Sequence, residues 1–262
     1  NPSVAFDGSC AAMNEIDASA GHNEPSMRRP HLRVTLLGGF QVVVDERVVD
    51  LAAWSRRKSR SLVKLLALAP HHTLHREQII DALWPDLDPI AGASNLQLAL
   101  HHARNALGPS TLLSRGEQIV LGSETGTWVD IEAFEEVAAG ARRSADPEEY
   151  AAVLALYRGD LLPEDRYEDW AANHRERLRD LYLALLLEMG HVFDARGQYT
   201  DAIDILQKVM LIDPANEAAG VARMRAFARS GQRQQALRQY EQLRTALRDE
   251  LDATPERETE RL

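Results

Sequence analysis

The chain has 262 residues, 45 % of them apolar and 27 % charged, with a formal net charge of −10. That length holds two ordinary domains with separate cores, and the composition excludes a disordered or fibrous chain. With one cysteine, Cys10, no basic-then-apolar leader and no apolar run near the roughly 20 residues that span a bilayer, disulfide scaffolds and membrane spans are excluded and a cytoplasmic protein is expected.

Residues 1–30 mix Asn, Ser, Gly, Asp and Pro without periodicity, carry two basic and four acidic groups, and are expected to form a disordered arm. The character changes at His31. Leu32 to Leu37 is a strand candidate ended by Gly38-Gly39, Phe40 to Val44 is a second, and Val48 to Leu51 follows the turn Asp45-Glu46-Arg47, so an antiparallel meander is expected. Ser55 is placed to cap a helix running through Arg56 to Leu68, with Leu62, Leu65, Leu66 and Ala69 inward and Pro70 as its stop. Thr73 and Glu77 bracket the start of the next helix, whose apolar face is Ile79, Ile80, Leu83 and Trp84. A third helix runs from near Pro89 to Leu107, with Leu96, Leu100, Ala103 and Leu107 as its inward stripe. Thr111 to Leu113 and Gln118 to Leu121 then flank a polar turn. Strands, three helices and a hairpin in that order predict a winged helix over 31–122. That stretch is mildly basic, with ten basic and eight acidic residues and six of the nine histidines.

From 123 the chain turns acidic, with 18 basic against 28 acidic residues, and beyond Val129-Asp130-Ile131 its pattern is helical throughout. Arg196-Gly197-Gln198-Tyr199-Thr200-Asp201-Ala202-Ile203 matches Ser230-Gly231-Gln232-Arg233-Gln234-Gln235-Ala236-Leu237 at an offset of 34 residues, the tetratricopeptide period. Gly197 and Gly231 supply left-handed helix ends, and Ala202 and Ala236 allow close packing. Asp146 to Leu162 is expected to supply a degenerate earlier unit, because about three units are needed to bury a continuous core. The fold class expected is mainly α with a small β component, a winged-helix domain followed by an all-α tetratricopeptide-like domain over 123–262.

In a winged helix the third helix enters the DNA major groove and the hairpin reaches the backbone or minor groove. Here that helix offers Ser94, Asn95, Gln97, His101, His102, Arg104 and Asn105. Asn and Gln can pair with adenine, and Arg with guanine or phosphate. Arg56, Arg57, Lys58 and Arg60 at the first helix's start can hold a phosphate together with the terminal amides, and Arg115 at the hairpin tip is a candidate wing contact. Each feature alone also fits a solvated surface. Their joint occurrence in this order favours double-stranded DNA as partner. His71, His72 and His75 lack a nearby cysteine, Asp86 and Asp88 fit a Pro-bounded turn, and no nucleophile elbow or phosphate loop occurs, so no catalytic residue, metal or cofactor is expected.

The stretches Leu32 to Phe40, Glu77 to Pro85 and Asn95 to Gly108, with the entry Trp128 to Phe134, resemble regulators of the Streptomyces antibiotic regulatory protein type. So do Tyr157-Arg158-Gly159-Asp160-Leu161-Leu162 and Trp170, and Asp249 to Thr259 near the other end. The resemblance implies an OmpR/PhoB-type winged helix before a bacterial transcriptional activator domain. It implies an activator that binds promoter repeats, self-associates on DNA, contacts RNA polymerase and has no enzymatic activity. It also implies that Asn95, Gln97, His101, His102 and Arg104 lie on the recognition face, with histidines where relatives tend to carry arginine. The rival reading is a tetratricopeptide scaffold with a vestigial winged helix, or the front of a larger signalling regulator.

Overall fold

The computed structural model describes residues 32–122 and 126–262, so the arm expected over 1–30 lies outside the described residues. Strand β1 (Leu32–Thr35) alternates Leu32 and Val34 inward, and pairs antiparallel with β2 (Gln41–Val44), Val34 facing Val42. Asp45 and Glu46 both take left-handed φ, as a tight two-residue hairpin with the sheet's twist requires, and lead into β3 (Arg47–Val48). The expected meander is present. It gains a strand that periodicity could not flag: β7 (Thr127–Val129) lies parallel to β1, giving the order β3-β2-β1-β7. The Arg33 guanidinium sits 5.0 Å above the ring of its cross-strand neighbour Trp128.

Three helices follow, α1 (Arg57–Leu68), α2 (Arg76–Leu83) and α3 (Pro89–Leu107). Of their expected inward residues, Leu62, Leu65, Leu66, Ala69, Ile79, Leu83, Leu96, Leu100, Ala103 and Leu107 are buried, while Ile80 and Trp84 are half-buried. Two caps differ from expectation. Ser55 does not cap α1, whose N-cap position is Arg56 with no side-chain bond; the Ser55 hydroxyl lies 2.8 Å from His102 Nδ1 instead. Thr73 does not open α2 because it belongs to β4 (Thr73–His75). His75 caps the helix, with Gln78 Oε1 accepting from the His75 amide. Asp88, read as turn chemistry, caps α3 by accepting from the Ile90 and Ala91 amides. The hairpin of β5 (Leu112–Arg115) and β6 (Gln118–Leu121) forms as expected, and β4 joins it in the order β4-β6-β5.

The second half comprises α4 (Asp130–Ser144), α5 (Pro147–Leu154), α6 (Asp169–Ala195), α7 (Tyr199–Ile212), α8 (Glu217–Arg229), α9 (Arg233–Leu251) and the short α10 (Arg257–Glu260). The 34-residue repeat is a repeat of hydrogen bonds. Gln198 N donates to Phe193 O at 2.9 Å and Gln232 N to Phe227 O at 2.8 Å, each across a glycine with φ of +74° or +79°. Gly190 of α6 lies so close to α7 that a Cβ there would fall 2.7 Å from Leu206. The expected earlier unit is only half helical: α5 ends at Leu154, and the chain beyond it turns back to the first sheet. Among the described residues no helix is long and apolar enough to cross a membrane.

That return makes the seam between the halves. Leu162 N donates to Leu36 O and Gly38 N to Asp160 O, both at 3.0 Å. Gly159 crosses Gly38 so closely that a Cβ on it would sit 3.2 Å from the Gly38 Cα. Buried Asp130, the first residue of α4, accepts from Leu36 N at 2.9 Å and Leu37 N at 2.8 Å. Desolvation pushes its pKa above the ordinary carboxylate value, and the backbone amides pull against that shift. Asp130→Ala leaves two buried amides without their acceptor. We expect it to cost about 2 kcal/mol and to lower the thermal midpoint by several degrees, read by circular dichroism. An unchanged midpoint would mean that the carboxylate is not what holds the seam.

Candidate nucleic-acid interface

The outward face of α3 is built by elimination. Gly92, Leu96, Ala99, Leu100, Ala103, Ala106 and Leu107 are buried, and Ser94, Gln97, His101 and Asn105 are exposed on the opposite side. His101 Nε2 and Asn105 Nδ2 lie 3.1 Å apart, so these two polar groups partner each other in the free protein. Ser94 and Asn95 bond back to the carbonyls of Ile90 and Ala91, which occupies one Asn95 donor.

The other expected contact residues divide. Arg104 is half-buried and turned along the helix to the hairpin, with Nε donating to Leu112 O and Nη2 to Ser114 Oγ, both at 2.9 Å. It braces the wing against α3. His102 is half-buried against Ser55, and its Nε2 has no hydrogen-bond partner among the described residues. Arg115 is exposed, one residue before the Gly116-Glu117 turn, and has no ion pair among the described residues. Gly116 takes φ of +59°, which glycine adopts without strain.

The basic cluster at the start of α1 is brought to α3. Arg56, Lys58, Trp84, Asn95 and Leu98 line one cleft of about 260 Å³ between the two helices. Arg56 and Lys58 have no ion pair among the described residues, and no side chain caps the helix between them. Arg57, on the same turn, also lines that cleft, but its guanidinium is engaged elsewhere. Its Nη2 donates to Glu168 at 2.9 Å and lies 3.6 Å from Asp165, both in the second half. One turn or two further along that face lies Lys64, only 4 % exposed, bonded to Glu164 at 2.7 Å and to Asp165, with its Nζ 4.7 Å from the Phe40 ring centre.

Lys64, Asp165 and Glu168 were not singled out from the sequence. A signal existed for the first of them, because Lys64 is the lone charge in the apolar run Leu62 to Leu68. Its acidic partners lie about a hundred residues away and carry no local mark. The three histidines near β4 separate: His72 Nε2 faces Glu132 at 3.5 Å, His75 caps α2, and His71 takes a left-handed φ in the turn between α1 and β4.

Residues 129–262 match the family described as Bacterial transcriptional activator domain. Regulatory protein AfsR of Streptomyces griseus is 25 % identical over 231 residues, covering 86 % of this chain and 23 % of that protein. Regulatory protein AfsR of Streptomyces coelicolor (strain ATCC BAA-471 / A3(2) / M145) is 25 % identical over 253 residues, covering 90 % of this chain and 25 % of that protein. The chain therefore spans about a quarter of the length of these curated relatives. Among solved structures, Mycobacterium tuberculosis EmbR in complex with a low affinity phosphopeptide superposes with a TM-score of 0.72 at 20 % identity. That alignment covers 89 % of this chain and 64 % of the other, and it is a likeness of fold.

Arg104→Met keeps the packed stem and removes the two bonds to β5. We expect amide exchange in β5 and β6 to rise about tenfold, the loss of one to two hydrogen bonds' worth of local stability, while the α3 amides stay protected. Equal exchange rates in the hairpin before and after substitution would show that Arg104 does not brace it.

Proposed function

The chain belongs to the bacterial transcriptional activator domain family, and on that premise we propose that it is a sequence-specific DNA-binding transcription regulator, acting as an activator. In this reading α3 enters the major groove, with Gln97, Asn95, His101 and Ser94 towards base edges. Arg56 and Lys58 hold the backbone on one side of the helix, and Arg115 holds it from the hairpin. His102 and Arg104 act on the pose from behind, by fixing α3 to Ser55 and to β5. The observation that carries the reading is the cleft that gathers Arg56 and Lys58 beside Asn95 and Leu98, nearly 40 residues on in sequence. Unpaired cations placed beside a polar helix face are what docking on a phosphate backbone needs. We assign the helical-repeat half to protein contacts, with RNA polymerase or with a second protomer on adjacent DNA.

The test is selection of bound sequences from a random duplex library at two salt concentrations. We expect enrichment of a tandem motif, with binding that weakens steeply as salt rises. Within the selected site, Gln97→Ala should cost about 1–3 kcal/mol and relax preference at one position. Lys58→Ala should weaken binding evenly across sequences and flatten the logarithmic salt slope by about 1. No enrichment at either salt from folded protein would overturn the proposal in favour of a protein-interaction scaffold.

A further inference from the structure

α9 packs on α8, and among the described residues no further helix pair stacks beyond it. The short α10 folds back alongside, held by the Glu256 amide on Glu217 and by buried Thr259. Between α8, α9 and α10 lies a groove of about 620 Å³. Its floor is apolar: Met224 and Ala228 from α8, Ala236, Leu237 and Tyr240 from α9. Leu237 is 60 % exposed there.

The rim carries the sign of the partner. Arg225, Arg229 and Arg233 line the groove, against Glu260 as the one acidic side chain. This is a local reversal, since residues 123–262 hold 28 acidic against 18 basic groups. Arg229 is partly committed to Asp194 of α6, whereas Arg225 and Arg233 are exposed and have no ion pair among the described residues.

We propose that this groove is a docking site for an acidic peptide segment of a partner protein, with an apolar side chain seated on Leu237 and Tyr240 and carboxylates facing Arg225 and Arg233. An apolar floor with a cationic rim discriminates against basic segments by repulsion and against purely polar ones by leaving the floor unfilled. A nucleic acid would satisfy the rim and leave the floor in water, so a peptide is the better fit. The inference does not depend on α3 reading DNA, and the two can fail separately.

The experiment uses the full chain and fluorescence anisotropy. The probe is a short fluorescein-labelled peptide of glutamate and aspartate carrying two leucines one helical turn apart. We expect saturable binding, weakened by about tenfold or more in the double variant R225E/R233E and also weakened in L237S. All three positions are exposed, so circular dichroism should show unchanged folding. Replacing the two leucines by serine should abolish binding, and a lysine-for-acid version of the peptide should not bind. The proposal is overturned if the acidic peptide does not bind wild type, or if its binding survives R225E/R233E. It is overturned equally if that variant loses affinity for a random-sequence DNA duplex while peptide binding stays the same.

Discussion

Everything about how the two halves of this protein sit together depends on the backbone of Leu36, Leu37 and Gly38. Two of these residues give their amides to the Asp130 carboxylate, and the third gives its amide to Asp160 O, while Leu36 O accepts from Leu162. A strand end that would otherwise need water or a neighbouring strand is satisfied wholly by the following domain. The cost is a carboxylate taken out of water, visible in the upward push on its pKa, and it is offset by backbone donors that only this chain path supplies. Tyr157 extends the seam inward. Its ring stacks on Tyr182 with centroids 4.1 Å apart, its hydroxyl donates to Asp160, and burial with that bond pushes the hydroxyl pKa up.

The seam makes α1 a shared element. Its apolar stripe belongs to the winged helix, its start opens into the cleft beside α3, and the Arg57–Lys64 face belongs to the acidic turn at 164–168. The two cations on that face are not equivalent. Arg57 is 64 % exposed, so its ion pairs are screened and exchangeable. Lys64 is buried with Asp165, where the pair is screened far less than an exposed one. Of the two cations the buried one therefore adds more to the seam, and Arg57 less.

The helices and the hairpin were legible in the sequence because burial imposes a period, and α3 and the 34-residue repeat show that period over long stretches. The three-residue strands β4 and β7 were not, since so short a segment has no alternation to read and exists only because β6 and β1 offer it partners. Candidate site positions were legible to the level of the helix face. What each polar side chain does on that face was not. Arg104 and Gln97 look alike as outward polar residues, yet one is tied to β5 and the other is exposed. Whether a cation is free or paired is decided by residues far away in the chain, as Arg56 and Arg57 show on adjacent positions.

That division of cations bears on how strongly the proposed interface could hold DNA. Of the basic residues near α3, Arg57 is paired with Glu168 and Arg104 is tied to β5, which leaves Arg56, Lys58 and Arg115 without ion pairs among the described residues. Three phosphate contacts give a salt slope of about −3, so a fourfold rise in salt weakens binding by only about 40-fold, far less than for proteins with many such contacts. The same small number means a small electrostatic share of affinity for one protomer, opposed by the acidic repeat half. His101 and Asn105 must also exchange their mutual bond for any base contact they make. A single copy would then hold its site weakly, and useful occupancy would come from a neighbour bound beside it. If α3 reads DNA as proposed, the helical-repeat half would matter to recognition as much as α3, because it is the surface through which a second protein could add the missing free energy.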